Sequence, residues 1–135
     1  MSKPKIEYKI NYPIKVKDII ELLESSEIKR PTNDENRIDT MYRNANLIIS
    51  AWHGEMLVGL ARSLTDFVYC CYLSDLAVRK KYQKQGIGKR MVEITREKTG
   101  DKVMLILLAA PAAIDYYPRI GMEKIVNGYV IYRTG

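Results

Sequence analysis

The chain has 135 residues, of which 47% are hydrophobic, and a net charge of +6 at pH 7. A chain of this length and composition can bury a core without disulfides or metals, so we expect a single domain over residues 1–135. It opens on no apolar run typical of a signal peptide, and the apolar stretch 103–110 is too short to cross a membrane. These features predict a soluble, cytoplasmic protein.

Cysteine and histidine usage argues against a metal site. Cys70 and Cys71 are adjacent, and neighbouring side chains of an extended strand point to opposite faces, so both are expected as free thiols. The chain has one histidine, His53, and no Cys/His cluster with the spacing of metal ligands. The sequence therefore predicts no metal. His53 precedes Gly54 at a predicted hairpin turn and is interpreted as a turn residue.

Hydrophobic periodicity predicts the elements of the first half of the chain. Apolar residues recur at helical spacing over residues 16–26. Thr32 and Glu35 form a potential capping box ahead of a second helix. Alternating or apolar runs predict three strands, over residues 5–11, 46–52 and 56–64.

The second half predicts further strands and helices. Ile87, Met91 and Ile94 lie on one face of a helix that ends near Gly100. A short helix follows at residues 111–117, with Pro111 suited to its first turn. The predicted strands are a central one over 67–78, a fully buried one over 103–110, and a closing pair over 122–126 and 129–134. The element order β-α-α-β-β-β-α-β-α-β-β is typical of a mixed α/β fold.

The excess positive charge lies at the start of the helix that contains Ile87. Six basic residues fall within twelve residues that hold no acid, while the other 16 basic residues balance the 16 acids; the six are Arg79, Lys80, Lys81, Lys84, Lys89 and Arg90. Unpaired N–H groups and the helix dipole favour an anion there, and glycine at positions 86 and 88 removes the side chains that would keep a diphosphate away. This pattern predicts a site for a phosphate compound; a solvated basic loop is the alternative.

The string Gln83-x-x-Gly86-x-Gly88 is neither an ATP-type P-loop nor a dinucleotide fingerprint at the first strand. It resembles the GNAT superfamily of acetyl-CoA-dependent N-acetyltransferases, whose hallmark is Q/R-x-x-G-x-G/A between the fourth strand and the third helix. Further segments resemble the same family: "AWHGEMLVGLA" (51–61), "SDLAV" (74–78), "VMLILLAA" (103–110) and "IDYYPRIGM" (114–122). The resemblance covers about residues 5–134. It implies a mixed, mostly antiparallel sheet of about seven strands flanked by about four helices, with the fourth and fifth strands splayed.

In this family an amine attacks the thioester of acetyl-CoA directly. The resemblance implies that backbone groups of Leu76, Ala77 and Val78 bind the pantetheine arm and polarise the thioester carbonyl. The pyrophosphate is implied to lie on the motif, at Gln83, Lys84, Gln85, Gly86, Ile87, Gly88 and Lys89.

Two side chains are predicted to take part in the chemistry. Tyr117 falls where the family often has a tyrosine that hydrogen-bonds the leaving sulfur; a packing role is its alternative. Asp75 is predicted to attract the ammonium group of the acceptor or to take its proton through water, and the alternative is a polar group satisfied by the backbone or facing solvent. Tyr116 is expected to face elsewhere.

The chain departs from the family pattern at two positions. Ala110 replaces an asparagine that contacts the cofactor arm, and Pro118 is expected to break or kink the helix directly after Tyr117. The acids Asp34, Glu35 and Asp39 either line an acceptor entrance or form a solvated helix face.

The resulting hypothesis is an N-acetyltransferase that transfers the acetyl group of acetyl-CoA to a primary amine, which is predicted to be a small molecule. No metal, nucleic acid or membrane partner is expected, and a homodimer is a possible assembly. The alternatives are a catalytically degenerate CoA-binding or regulatory module, an acetyltransferase of a protein amine, and a nucleic-acid binder. The basic cluster holds no aromatic residue besides Tyr82, which disfavours the last of these.

Overall fold

The computed structural model describes residues 4–135 and contains one five-stranded sheet in the order β1-β2-β3-β4-β5. The strands are β1 (Glu7–Ile10), β2 (Leu47–His53), β3 (Met56–Thr65), β4 (Cys70–Val78) and β5 (Met104–Ile106). Neighbouring strands are antiparallel except β4 and β5, which are parallel. The α-helices are α1 (Val16–Ser26), α2 (Glu35–Arg43) and α3 (Ile87–Thr99), and short 3-10 helices span Lys80–Tyr82, Pro111–Ala113 and Tyr117–Ile120.

Helices cover both faces of the sheet. On one face α3 packs its buried Met91 against β2 and β3, where the missing side chain of Gly59 lets the methionine approach: a Cβ built at Gly59 would lie 3.0 Å from the Met91 Cε. On the other face α1 and α2 contribute Leu22, Leu23 and Ile38 to a second buried cluster. The sheet is therefore the middle layer of a three-layer α/β arrangement.

Strands β4 and β5 separate part of the way along the sheet. A bulge in β4 leaves Ser74 without a partner, because Arg62 pairs with Asp75 and Ser63 pairs with Leu73. Pairing with β5 covers only Cys70–Tyr72. Within the part of the chain that the structure describes, residues 73–78 thus have no strand on their β5 side. The pairing between the fourth and fifth strands therefore ends at Tyr72, which leaves the edge of β4 open beyond it.

The start of α2 differs from the sequence prediction. The helix begins at Glu35, and the side chain of Asp34 caps it by accepting from the backbone N–H of Arg37 at 3.1 Å. The predicted capping box of Thr32 and Glu35 is therefore wrong, since Thr32 lies before the capping residue. The helix predicted over 16–26 agrees with α1.

The final third of the chain is less regular than predicted. The strand over 103–110 is reduced to Met104–Ile106, whose outer residues are exposed rather than buried. The short helix is replaced by two 3-10 helices, each with a proline in its first turn. Residues 122–135 form no strand. The described residues thus contain five strands and three α-helices, and the prediction of about seven strands and four helices is wrong in number.

No helix among residues 4–135 is both long and apolar enough to span a membrane.

Candidate functional site

The glycine loop places a row of free backbone donors at the start of α3. Lys84 and Gly86 both have left-handed backbone conformations, with φ of 65° and 84°, and Gly86 is the N-cap of α3. Within residues 4–135, the backbone N–H groups of residues 84–88 have no hydrogen-bond acceptor. Free N–H groups at a helix start, combined with the helix dipole, form an anion site.

The open edge of β4 leads to these donors. The backbone N–H of Arg79 donates to the Val58 carbonyl on β3 at 2.8 Å. Because backbone groups of an antiparallel strand alternate in direction, Ala77 also faces β3, whereas Leu76 and Val78 turn their backbone groups toward the gap beside β5. The gap is therefore edged by peptide donors and acceptors that an extended amide-containing molecule can pair with.

Gln83 and Gly88 hold the loop close to the end of β4. The Gln83 side-chain amide donates to the Val78 carbonyl at 2.9 Å, so this motif residue fastens the loop to the strand. A Cβ built at Gly88 would lie 3.8 Å from the Val78 side chain and 3.7 Å from the Tyr116 hydroxyl. The strand edge and the first turn of α3 consequently form one continuous surface.

The basic cluster is partly neutralised by acids from other elements. Arg79 pairs with Glu21 and also donates to the Leu57 carbonyl, Lys80 pairs with Glu27, and Arg90 pairs with Glu93 and Glu97. Among residues 4–135, no acidic partner lies within ion-pair distance of Lys81, Lys84 or Lys89. The uncompensated charge is therefore confined to the loop, which is a more local positive site than the sequence count alone indicates.

Asp75 is fully buried and its carboxylate accepts hydrogen bonds from three residues. Arg30 Nε donates to Oδ1 at 2.6 Å, while Arg62 Nε at 2.6 Å and the Tyr42 hydroxyl at 2.9 Å donate to Oδ2. Burial opposes the charge of Asp75, but the hydrogen bonds and positive charges of Arg62 and Arg30 outweigh it and lower the pKa. Asp75 thus stays ionised and fastens α2 and the segment before it to the sheet.

Of the two adjacent tyrosines, Tyr116 lies at the glycine loop and Tyr117 packs against Tyr116. Contrary to the expectation that it faces elsewhere, Tyr116 lies against the first turn of α3, near the Lys89 backbone N–H. Tyr117 is half-buried and its ring packs edge-on against that of Tyr116, with centroids 5.3 Å apart. Burial, together with the neighbouring Tyr116, raises the pKa of Tyr117, so its phenol is protonated at neutral pH. Tyr116 and Tyr117 lie at the start of a 3-10 helix, where neighbouring side chains do not point in opposite directions as they do in a strand. The helix predicted over residues 111–117 was therefore the sequence signal that Tyr116 does not face away from Tyr117.

His53 ends β2 and its Nδ1 lies 2.6 Å from the Tyr82 hydroxyl. The turn itself is formed by Gly54, with φ of 61°, and Glu55. The contact joins the β2–β3 turn to the 3-10 helix that precedes the glycine loop.

A shallow cavity of about 540 Å³ separates α2 from β3 and includes Asp34, Arg37, Arg62 and Leu64 in its wall. Of the acids predicted either to line an entrance or to be solvated, Asp34 lines this cavity and caps α2. Asp39 pairs with Arg43 at 2.8 Å on the exposed helix surface. The described residues contain no group of three or more His, Cys, Asp or Glu side chains able to hold a metal ion.

The profile of the acetyltransferase (GNAT) family matches residues 16–122. The chain therefore belongs to the GNAT family of acetyltransferases. Among curated proteins it is 31% identical over 74 residues to "GCN5-related N-acetyltransferase 2, chloroplastic" of Arabidopsis thaliana, over 53% of this chain and 29% of that protein. It is 26% identical over 93 residues to an uncharacterized N-acetyltransferase of Gracilaria tenuistipitata var. liui, over 67% of this chain and 51% of that protein. The matched regions thus span between about a third and a half of these relatives.

Solved structures share the fold. A GNAT-family acetyltransferase from Streptococcus pneumoniae superposes with a TM-score of 0.70 at 22% identity and covers 96% of this chain and 100% of its own. An aminoglycoside N-acetyltransferase in complex with CoA gives a TM-score of 0.73 at 11% identity, covering 98% and 97%. At these identities the likeness concerns the fold.

Proposed function

We propose that this chain binds acetyl-CoA along the open edge of β4 and catalyses transfer of the acetyl group to the primary amine of a small molecule. The observation that carries this proposal is the continuity between the unpaired edge of residues 73–78 and the free N–H groups of residues 84–88. A linear molecule with amide groups at one end and a diphosphate at the other is complementary to such a surface.

Each part of the site has a distinct task in this proposal. The N–H groups of residues 84–88 bind the pyrophosphate, and Lys81, Lys84 and Lys89 add longer-range attraction. Backbone groups of Leu76 and the N–H of Val78 hold the pantetheine arm, since the Val78 carbonyl accepts from Gln83. Ala77 was also predicted to bind the arm, but its backbone groups face β3, and it has no such task here. Acetyl-CoA supplies an activated acyl group as a thioester. A β4 N–H that faces the gap stabilises negative charge on the carbonyl oxygen during attack, a contribution usually worth several kcal/mol in acyl transfer.

Asp75 and Tyr117 have different tasks in this proposal. Asp75 acts here as a positioning residue, because both of its oxygens are engaged and none is exposed. This assignment replaces the sequence-based prediction that Asp75 attracts the ammonium group of the acceptor or takes its proton through water. Tyr117 donates a hydrogen bond to the leaving sulfur, and its raised pKa keeps the proton available for that bond.

The fold has few loops that could recognise a macromolecule, which favours a small acceptor over a protein amine. The structural relative with an aminoglycoside substrate in its name agrees with this choice. We place the protein in the cytoplasm and expect it to need neither metal nor nucleic acid.

The proposal is tested by calorimetric titration of the protein with acetyl-CoA, followed by mass analysis of a panel of amines. We expect binding that weakens as salt rises from about 0.05 to 0.5 M, since screening shortens the reach of the three free lysines. Acetylated small amines would support the full proposal. Binding without transfer to any amine would favour a degenerate CoA-binding module, acetylation of peptides alone would favour a protein acceptor, and absence of binding would overturn the proposal.

Tyr117→Phe is expected to lower kcat about tenfold with little change in acetyl-CoA affinity, because one hydrogen bond to a fair leaving group is worth about 1.4 kcal/mol. Tyr116→Phe is the matched control. Its hydroxyl lies by Gly88 in the first turn of α3, so its loss should change the affinity more than kcat. Steady-state kinetics and calorimetry on both variants separate the two roles, and a kcat loss confined to Tyr116→Phe would reverse the assignment.

A further inference from the structure

The bulge in β4 determines which backbone groups of the strand face the gap. On the near side of the bulge, the Tyr69 carbonyl accepts from the Met104 N–H at 2.9 Å, so by alternation Leu73 also turns its backbone groups toward β5. Beyond the bulge, Leu76 faces this same side. In a regular strand, residues that face one side are two or four positions apart, yet Leu73 and Leu76 are three apart. The extra residue in the bulge therefore directs the N–H of Leu76 into the gap.

A side chain from outside the sheet holds this bulge. Arg30 lies in the segment between α1 and α2, and its Nη2 donates to the Ser74 carbonyl at 2.7 Å while its Nε donates to Asp75 Oδ1 at 2.6 Å. Ser74 is the residue that the bulge leaves without a partner on β3, so Arg30 binds the strand where its pairing is interrupted. A planar guanidinium that spans two neighbouring acceptors fixes both their separation and their direction.

Arg30 is itself restrained. Its Nη1 donates to the carbonyl of the preceding residue, Lys29, at 2.6 Å, so each of its three nitrogens is bound to the protein. Pro31 follows and restricts the backbone of Arg30 to extended conformations. With all three nitrogens engaged in this way, Arg30 acts through the residues that it binds.

Other contacts keep the surrounding structure in place without Arg30. Arg62 donates to Asp75 Oδ2 from β3 and to the Ser74 hydroxyl at 3.0 Å, and the Tyr42 hydroxyl also donates to Asp75 Oδ2. Among these residues, Arg30 is the one that binds the Ser74 carbonyl. Loss of Arg30 therefore releases the backbone of the bulge while Asp75 stays paired.

We propose that Arg30 is a positioning residue for acyl transfer, which keeps the β4 bulge in the geometry that directs the Leu76 N–H at the thioester carbonyl of acetyl-CoA. This inference rests on the proposed function and assigns one of its steps to a residue outside the gap. A backbone donor stabilises a developing oxyanion only when it points at that oxygen, so the alignment of the donor matters as much as its presence.

The ¹³C resonance of acetyl-CoA labelled at the thioester carbonyl tests this role without an acceptor amine. A hydrogen bond polarises the carbonyl, so we expect the resonance to move downfield when the wild type binds the labelled compound. Arg30→Lys keeps a positive charge beside Asp75 but cannot span both acceptors. We expect this variant to lose more than half of the downfield shift. Its calorimetric Kd for acetyl-CoA should change by no more than about threefold, because the N–H groups of residues 84–88 are untouched.

Arg96→Lys is the matched control. Arg96 also donates to two backbone carbonyls, those of Val103 and Asp101, but beyond the far end of α3. It should retain the full downfield shift, with an unfolding midpoint lowered about as much as in Arg30→Lys. Equal loss of the shift in both variants would attribute it to general loosening and overturn the inference. A full shift in Arg30→Lys would overturn it as well.

Two outcomes separate this inference from the proposed function. A wild type that binds acetyl-CoA without moving the carbonyl resonance would overturn the inference and leave cofactor binding intact. A wild type that binds no acetyl-CoA would overturn both as far as catalysis is concerned. Hydrogen exchange of the free protein then decides whether Arg30 holds the bulge. We expect Arg30→Lys to accelerate exchange of the amides of residues 74–76 and to leave the rest of β3 and β4 unchanged, and unchanged exchange at 74–76 would contradict that contact.

Discussion

Gly86→Glu is expected to weaken acetyl-CoA binding at least 100-fold, which corresponds to about 2.7 kcal/mol. The substitution places a carboxylate at the N-cap of α3, in front of the free N–H groups of residues 84–88. Negative charge at that point repels a diphosphate and competes for the same donors. Space does not oppose the side chain, since a Cβ at Gly86 would meet no atom within 4 Å. Calorimetry against the wild type measures the loss.

The chain supplies a matched control for the backbone strain. Gly54, in the β2–β3 turn, also has a left-handed conformation, with φ of 61°, and no atom within 4 Å of a built Cβ. Gly54→Glu therefore adds the same charge and a comparable strain of about 1–2 kcal/mol, away from the loop. Equal unfolding midpoints for the two variants, with binding lost only in Gly86→Glu, are the expected result. Equal loss of binding in both would attribute the effect to destabilisation and remove the loop from the proposal.

The strands and helices of the α/β fold that precede the glycine loop, and the loop itself, could be predicted from the sequence because their signals are local. The helical spacing in residues 16–26 and the alternation in residues 5–11 each specify an element without reference to the rest of the chain. The glycine motif between a strand and a helix likewise predicts a loop at the start of α3 in which glycine allows close approach, and the structure adds that Gly86 has a positive φ.

What the sequence did not reveal depends on contacts between distant residues. Asp75 pairs with Arg30, 45 residues away, and with Arg62, 13 residues away. The local sequence "LSDLA" (73–77) contains no pattern that predicts either pair. The acids that neutralise Arg79 and Lys80 also come from α1 and the residue after it. The closing strands were predicted from sound local propensity, but a strand requires a neighbour, and the described domain provides none beside residues 123–134.

Asp75→Asn is expected to lower the free energy of unfolding by about 3–5 kcal/mol at pH 7. The variant leaves the buried guanidinium of Arg62 without a compensating charge and offers one acceptor oxygen where two accepted from three residues. Since a domain of this kind is stable by about 5–15 kcal/mol, the loss is a large share of the total. Urea unfolding monitored by circular dichroism provides the measurement. Asp39→Asn, which breaks the exposed pair with Arg43, is the control and should cost no more than about 0.5 kcal/mol.

The pH dependence of stability distinguishes the charge of Asp75 from its packing. Its pKa in the folded protein lies below the value of about 3.9 in an unfolded chain, so its stabilisation is complete above about pH 5 and is lost as pH falls through the folded-state pKa. The wild type should thus lose stability more steeply below pH 4 than Asp75→Asn, and the two curves should converge. Parallel curves would show that the carboxylate contributes no net electrostatic stability.

The kinetics of Asp75→Asn distinguish a positioning residue from a proton acceptor. At a temperature where the variant is folded, a positioning role predicts a raised KM and an unchanged pH profile of kcat. Loss of a proton acceptor would instead remove one limb of that profile.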